Sequence, residues 1–154
     1  MRDMPFWLTG GKMHLTTPYD ENNIFARILR NEAPAIRVYE DEMTLAFMDI
    51  MPQLPGHVLV IPKSPAANLL TLPPEYTQAM MLTTQKVARA VQQAMDAPGF
   101  MIAQLNGAEA GQTVFHIHMH ILPRRDGLEF KLHARELADM NELEEIAARI
   151  RAAL

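Results

Sequence analysis

Phe115-His116-Ile117-His118-Met119-His120-Ile121 is the stretch on which the reading of this chain turns. Successive side chains of an extended backbone point to opposite faces, so the strict alternation puts three imidazoles on one side and four apolar residues on the other. Same-face neighbours then lie roughly 6.5 to 7 Å apart. Imidazoles gathered on one face repel one another when protonated, so the pattern has a cost unless an anion, a metal or a hydrogen-bond network offsets it. Two chemistries suit such a face. One is metal ligation through neutral ring nitrogens; the other is phosphate chemistry, in which one ring attacks while its neighbours supply protons and positive charge.

The surrounding residues weigh these against each other. Cysteine is absent, which excludes disulfides, a thiolate nucleophile and every sulfur-ligated zinc site. The nearest preceding acid is Glu109, and the only serine, Ser64, sits between Lys63 and Pro65 with no elbow motif around it. Histidine is therefore the favoured nucleophile, and metal ligation stands second. Immediately upstream, Asn106-Gly107-Ala108-Glu109-Ala110-Gly111-Gln112-Thr113 offers glycines, amides and a hydroxyl suited to hydrogen-bonding phosphate oxygens. It matches neither a Walker loop nor GxGxxG, and Asn-Gly taken alone reads equally well as a hairpin turn.

Further outward the chain divides into an N-terminal extension, residues 1–20, and a single domain, residues 21–154. The extension has no sustained periodicity and is expected to be mobile or to pack late, with Trp7 as an anchor. Ile24, Phe25, Ile28 and Leu29 recur at helical spacing after an N-cap at Asn22 or Asn23. Residues 36–39 and 45–48 read as a hairpin around Glu40-Asp41-Glu42, and Pro52 and Pro55 enforce an irregular crossing to a strand at 57–61 that Pro62 ends. A long helix is predicted over 75–95, strands over 100–105 and 113–122, and a final helix opened by a capping box of Asn141 and Glu144. Strands grouped around one long helix define an α+β fold.

The 154 residues, 49% hydrophobic, suffice for one core. A formal charge of −4 provides no cationic field for a nucleic-acid backbone, so no nucleic-acid partner is expected. No apolar run approaches the roughly 18 residues needed to span a bilayer, and Met4 to Leu8 is too short for a secretory signal. A cytoplasmic protein without a membrane partner is the expectation.

The chain resembles the histidine triad family, whose signature of alternating histidines appears here as His116-Ile117-His118-Met119-His120-Ile121-Leu122. The resemblance continues, in family order, through residues 24–28, 46–50, 55–63 and 111–114, and covers roughly residues 22 to 125. It implies an antiparallel sheet of about five strands with a long helix and a C-terminal helix, paired across a homodimer. It also implies His118 as the nucleophile toward an α-phosphate, His116 as its orienting neighbour, His120 near the phosphate oxygens, and His57 completing the cluster.

By matched position, Asp49 binds ribose hydroxyls, and Asn106, Gln112 and Thr113 contact ribose, phosphate or leaving group. Ile24, Phe25, Ile28, Phe47, Ile50 and Leu59 form the purine pocket. Read without the resemblance, these apolar residues are ordinary core. Certain members of the family bind structural zinc through two cysteines and a histidine, but those places hold Asn23, Ala26 and Pro65, so neither metal nor other cofactor is expected. Asp49 and Asn106 match the phosphoramidase-like, Hint-like branch, whereas Glu109 to Val114 looks closer to the dinucleoside polyphosphate hydrolases. The implied activity is release of a purine nucleoside monophosphate through a nucleotidyl-histidine intermediate. The alternatives are a nucleotide-binding regulatory module with little turnover and a metal-dependent hydrolase using the same histidines.

Overall fold

The computed structural model describes residues 15–126 and 136–154; Trp7, His14 and His133 lie outside the described residues. In chain order the elements are α1 (Ile24–Leu29), β1 (Arg37–Glu40), β2 (Thr44–Met48), β3 (Val58–Pro62), α2 (Pro74–Met95), β4 (Gly99–Ala103), β5 (Met119–Arg124) and α3 (Met140–Ala152). The strands form one five-stranded sheet in the order β1-β2-β3-β5-β4, with every pairing antiparallel. This is the α+β architecture expected from the sequence, hairpin included.

Both faces of the sheet are covered, which is why β2 after Thr44 and all of β3 read as apolar runs and both strands are buried at every position. Alternation sorts their side chains. Ala46, Met48, Val58 and Val60 face α2 and α3 in the larger core, together with Ile117, Met119 and Ile121. Leu45, Phe47, Leu59 and Ile61 face the other way and pack with Phe25 and Ile28 of α1. α2 presents Met80, Val87 and Val91 at helical spacing to the larger core. Its C-terminal carbonyls at Met95 and Asp96 accept 2.7 Å hydrogen bonds from the Arg125 guanidinium.

Two expectations are corrected. α3 is capped by Asp139, whose carboxylate accepts from the backbone N–H of Asn141 at 2.8 Å and of Glu142 at 3.1 Å, so the Asn141–Glu144 pair lies inside the helix. The strand expected over 113–122 begins only at Met119. Its ladder to β3 stops at the Val60–Met119 pair because the partners beyond are diverted. Pro62 has no N–H, its carbonyl accepts from the His116 ring, and Ile117 N–H donates to Ala66 at 2.9 Å. Residues 114–116 are bends, and the adjacent Thr113 and Val114 both line one cleft, so this segment is neither a strand nor strictly alternating.

The turn into β3 depends on Gly56. Its φ of +91° lies where L side chains are strained, and a Cβ there would come within 2.8 Å of Met95 Cγ and 3.0 Å of Pro123 Cγ. Gly56→Ala is therefore expected to destabilise the fold by more than about 1 kcal/mol in urea unfolding; an unchanged midpoint would contradict this account.

Candidate active site

Strand parity builds the site. Asp49 follows Phe47 by two residues and His57 precedes Leu59 by two, so both project from the face of the sheet that α1 covers. His120 lies opposite Leu59 in the β3–β5 register and shares that face. The gap between this face and α1 is a cleft of about 390 Å³. Ile24, Phe25 and Ile28 line it from α1, Phe47 and Leu59 from the sheet, and Ile50 at its lip. Asp49, His57, Thr113, His118 and His120 provide polar lining.

Ring tautomers can be assigned from the partner each nitrogen faces. His118 Nδ1–H donates to the His116 carbonyl at 2.8 Å, which leaves Nε2 as a lone pair. His116 is fully buried; its Nε2–H donates to the Pro62 carbonyl and its Nδ1 accepts from the Tyr19 hydroxyl, both at 2.7 Å. Gln53 N–H donates to His57 Nδ1 at 3.2 Å, so His57 Nε2 carries its proton and donates it to His120 Nδ1 at 2.9 Å. Neutral His120 then carries its own proton on Nε2. Its ring packs edge-on against His118, with centroids 4.8 Å apart.

Burial is the leading cause of low basicity at His57, His116 and His118. It pushes His57 and His118 below the ordinary imidazole value and brings His116 down to about 4. The Asp49 carboxylate acts against burial at His57 and His118. An Asp49 oxygen lies 3.6 Å from His57 Nδ1, but that nitrogen already accepts from Gln53, so the contact is a charge nearby and not a hydrogen bond.

Not every residue named by the resemblance lines the cleft. Asn106 exchanges side-chain hydrogen bonds with Gln104 at 2.7 and 2.8 Å and accepts from Leu69 N–H. Gln112 is buried, accepts from Gly107 N–H at 2.7 Å and donates to the Ala67 and Val114 carbonyls. Both brace the loop that presents Thr113 and Val114. His116 stands behind His118, outside the lining.

Tyr19 and Gln53 were missed by sequence reasoning. Gln53 acts through its backbone N–H, which any residue except proline carries. Tyr19 belongs to a segment without periodicity, so only its aromatic character beside Pro18 marked it. Where the resemblance places zinc ligands, Asn23 caps α1 and Ala26 is buried within it. Among the described residues, the donor atoms of Asp49, His57 and His120 come within 4.8 Å of one another. Both His57 nitrogens in that group are already engaged by Gln53 and His120.

These features define a histidine-lined cleft with an apolar wall. The HIT domain model matches residues 30–127, and the chain belongs to the histidine triad family. The crystal structure of a Hit-like protein from Bartonella henselae superposes with a TM-score of 0.84 at 48% identity, covering 90% of this chain and 100% of that one. An adenosine 5'-monophosphoramidase of Saccharomyces cerevisiae is 35% identical over 120 residues, 78% of this chain and 73% of its own. An adenylylsulfatase of Arabidopsis thaliana is 36% identical over 116 residues, 75% of this chain and 58% of its own. Among the described residues, no helix is long and apolar enough to cross a membrane.

The buried rings tie stability to pH. The native pKa of His116, about 4, lies below the free value of 6.5, so between these values the unfolded chain binds more protons. Stability present above pH 6.5 is lost as pH falls toward 4, on the order of 3 kcal/mol from His116 alone. His57 and His118 act in the same direction. Urea midpoints should therefore drop between pH 7 and pH 4.5, and drop less in His116→Asn; a wild-type midpoint independent of pH would refute this.

Proposed function

We propose that the protein is a hydrolase or nucleotidyl transferase that releases a purine nucleoside monophosphate from a phosphoramidate, acyl-phosphate or polyphosphate through a covalent bond to His118. The observation that carries this reading is the fixed tautomer of His118. Its Nδ1 proton is committed to the His116 carbonyl, so the Nε2 lone pair is available in a cleft that also holds a carboxylate and an apolar wall. Burial keeps the ring neutral at physiological pH, which is the nucleophilic form.

The base occupies the apolar slot between α1 and the sheet, and Asp49 accepts hydrogen bonds from ribose hydroxyls. His118 Nε2 attacks the α-phosphorus, forming the P–N bond as the bond to the leaving group breaks and its electron pair departs with that group. His120 Nε2–H stabilises the charge developing on the phosphate oxygens. Water or another acceptor then attacks the same phosphorus, releasing the nucleotide and restoring His118. Relatives named as an adenosine 5'-monophosphoramidase and an adenylylsulfatase support a substrate with an adenosine or adenylyl portion.

A single-turnover reaction with a fluorogenic adenosine phosphoramidate, followed by intact mass spectrometry without acid, tests this. An adenylyl adduct is expected on wild type and not on His118→Gly, with turnover reduced on the order of 10³-fold or more. Binding of the nucleotide with neither adduct nor product would leave a binding module. Activity should survive EDTA, and loss that zinc restores would favour a metal-dependent hydrolase.

We also propose that the protein is a homodimer formed through β4. That strand is an edge of the sheet, and Phe100 and Ile102 on it are exposed beside Met81 and Leu82 of α2. Sedimentation at micromolar concentration should show a dimer that Ile102→Glu dissociates; a wild-type monomer would exclude the interface.

A further inference from the structure

The segment that carries His116 and His118 belongs to no strand, so other ties must hold it. Ile117 N–H reaches Ala66, and both nitrogens of His116 are engaged, one by Pro62 and one by Tyr19. Tyr19 arrives from 97 positions earlier in the chain.

The stretch around Tyr19 is fastened on both sides. Upstream, the Leu15 carbonyl accepts from Asn68 Nδ2 at 3.0 Å, and the Leu15 side chain lies over Gly107. Downstream, the Asp20 carbonyl accepts from Asn23 N–H at 3.2 Å and from Asn23 Nδ2 at 2.8 Å, which joins the stretch to the N-cap of α1. Between these anchors the Tyr19 ring meets the edge of the His116 ring, with centroids 5.7 Å apart. Tyr19 does not line the cleft.

We infer that Tyr19 is a positioning residue: its hydroxyl, donating to His116 Nδ1, fixes the His116 ring and so holds the carbonyl that keeps the His118 proton on Nδ1. This rests on the proposed role of His118 and adds a remote control of it. A neutral imidazole has one proton. While Tyr19 donates to Nδ1, that proton stays on Nε2 and serves the Pro62 carbonyl. Without the hydroxyl, Nδ1 becomes a buried acceptor lacking its partner. The ring can relieve this by moving its proton to Nδ1, but Pro62 then loses its donor. It can also relieve it by turning, which shifts the segment whose carbonyl fixes His118. Either response reduces the population of His118 with a free Nε2 and leaves the apolar wall and Asp49 in place.

Tyr19→Phe removes one oxygen and keeps the ring contact. Three measurements on the full chain decide the matter: the His116 and His118 ring nitrogens by long-range ¹H–¹⁵N NMR, AMP affinity by calorimetry, and the rate of the covalent step with the adenosine phosphoramidate. Expected are altered His116 and His118 nitrogen resonances, unchanged AMP affinity, and a covalent step slowed about tenfold or more, with the loss in kcat and not in KM. Wild-type rate with unchanged resonances would overturn the assignment, as would a loss confined to KM. If wild type itself proves inactive, the proposed reaction fails but the positioning claim is still decided. His118 resonances insensitive to Tyr19→Phe would reject it, and sensitive ones would uphold it.

Discussion

One hydrogen bond, from His118 Nδ1–H to the His116 carbonyl, governs what this cleft can do. An imidazole offers a nucleophile only at the nitrogen that lacks a proton, and a neutral ring free to exchange tautomers would present the wrong one part of the time. A backbone carbonyl is an acceptor with no proton of its own to give, so it fixes the tautomer without competing for it. The neighbouring rings extend the same logic. Gln53 fixes His57, His57 fixes His120, and the His120 ring packs edge-on against His118.

That order of donors depends on the sheet. His57, Asp49 and His120 converge because they share the parity of Leu59 and Phe47, while Val58, Met48 and Ile121 fill the opposite core. A slip of one residue in the β3–β5 register would exchange imidazoles with the core, so the burial of both faces specifies the register and the site together. The end of the β3–β5 ladder matters equally. Because Pro62 cannot donate, its carbonyl is left to the His116 ring, and a strand terminus becomes part of the support for the segment that carries His118.

Much of this was legible in the sequence, for identifiable reasons. Alternating imidazoles signalled a cluster, of which His118 and His120 line the cleft and His116 stands behind, and burial on both sides made β2 and β3 apolar apart from Thr44. Helical periodicity located α2 to within a residue of its start. The resemblance gathered Asp49, His57 and the wall residues, which periodicity alone would have assigned to core or turn. What escaped was what the side-chain pattern does not encode. Residues 113–118 alternate in sequence like a strand, yet their backbone hydrogen bonds go elsewhere. The cap of α3 differs from the sequence expectation because Asn141 and Glu144 match a box that Asp139 pre-empts two residues earlier. The contact of Tyr19 with His116 joins residues 97 positions apart and leaves no local trace.

The cleft is assembled from two blocks of chain that meet across the β3–β5 ladder. Residues 24–59 provide the slot wall, the carboxylate and His57, whereas residues 113–120 provide the remaining rings and the loop end at Thr113. In the proposed reaction the first block meets the nucleoside and the second the phosphate. The loop of residues 106–112 is braced by Gln104 and Gln112 and contributes no wall to the slot. Its side chains at Asn106 and Gln112 are tied to Gln104, Leu69, Ala67 and Val114, so a substitution at either loosens the backbone that presents Thr113 and Val114 while the apolar slot itself is untouched.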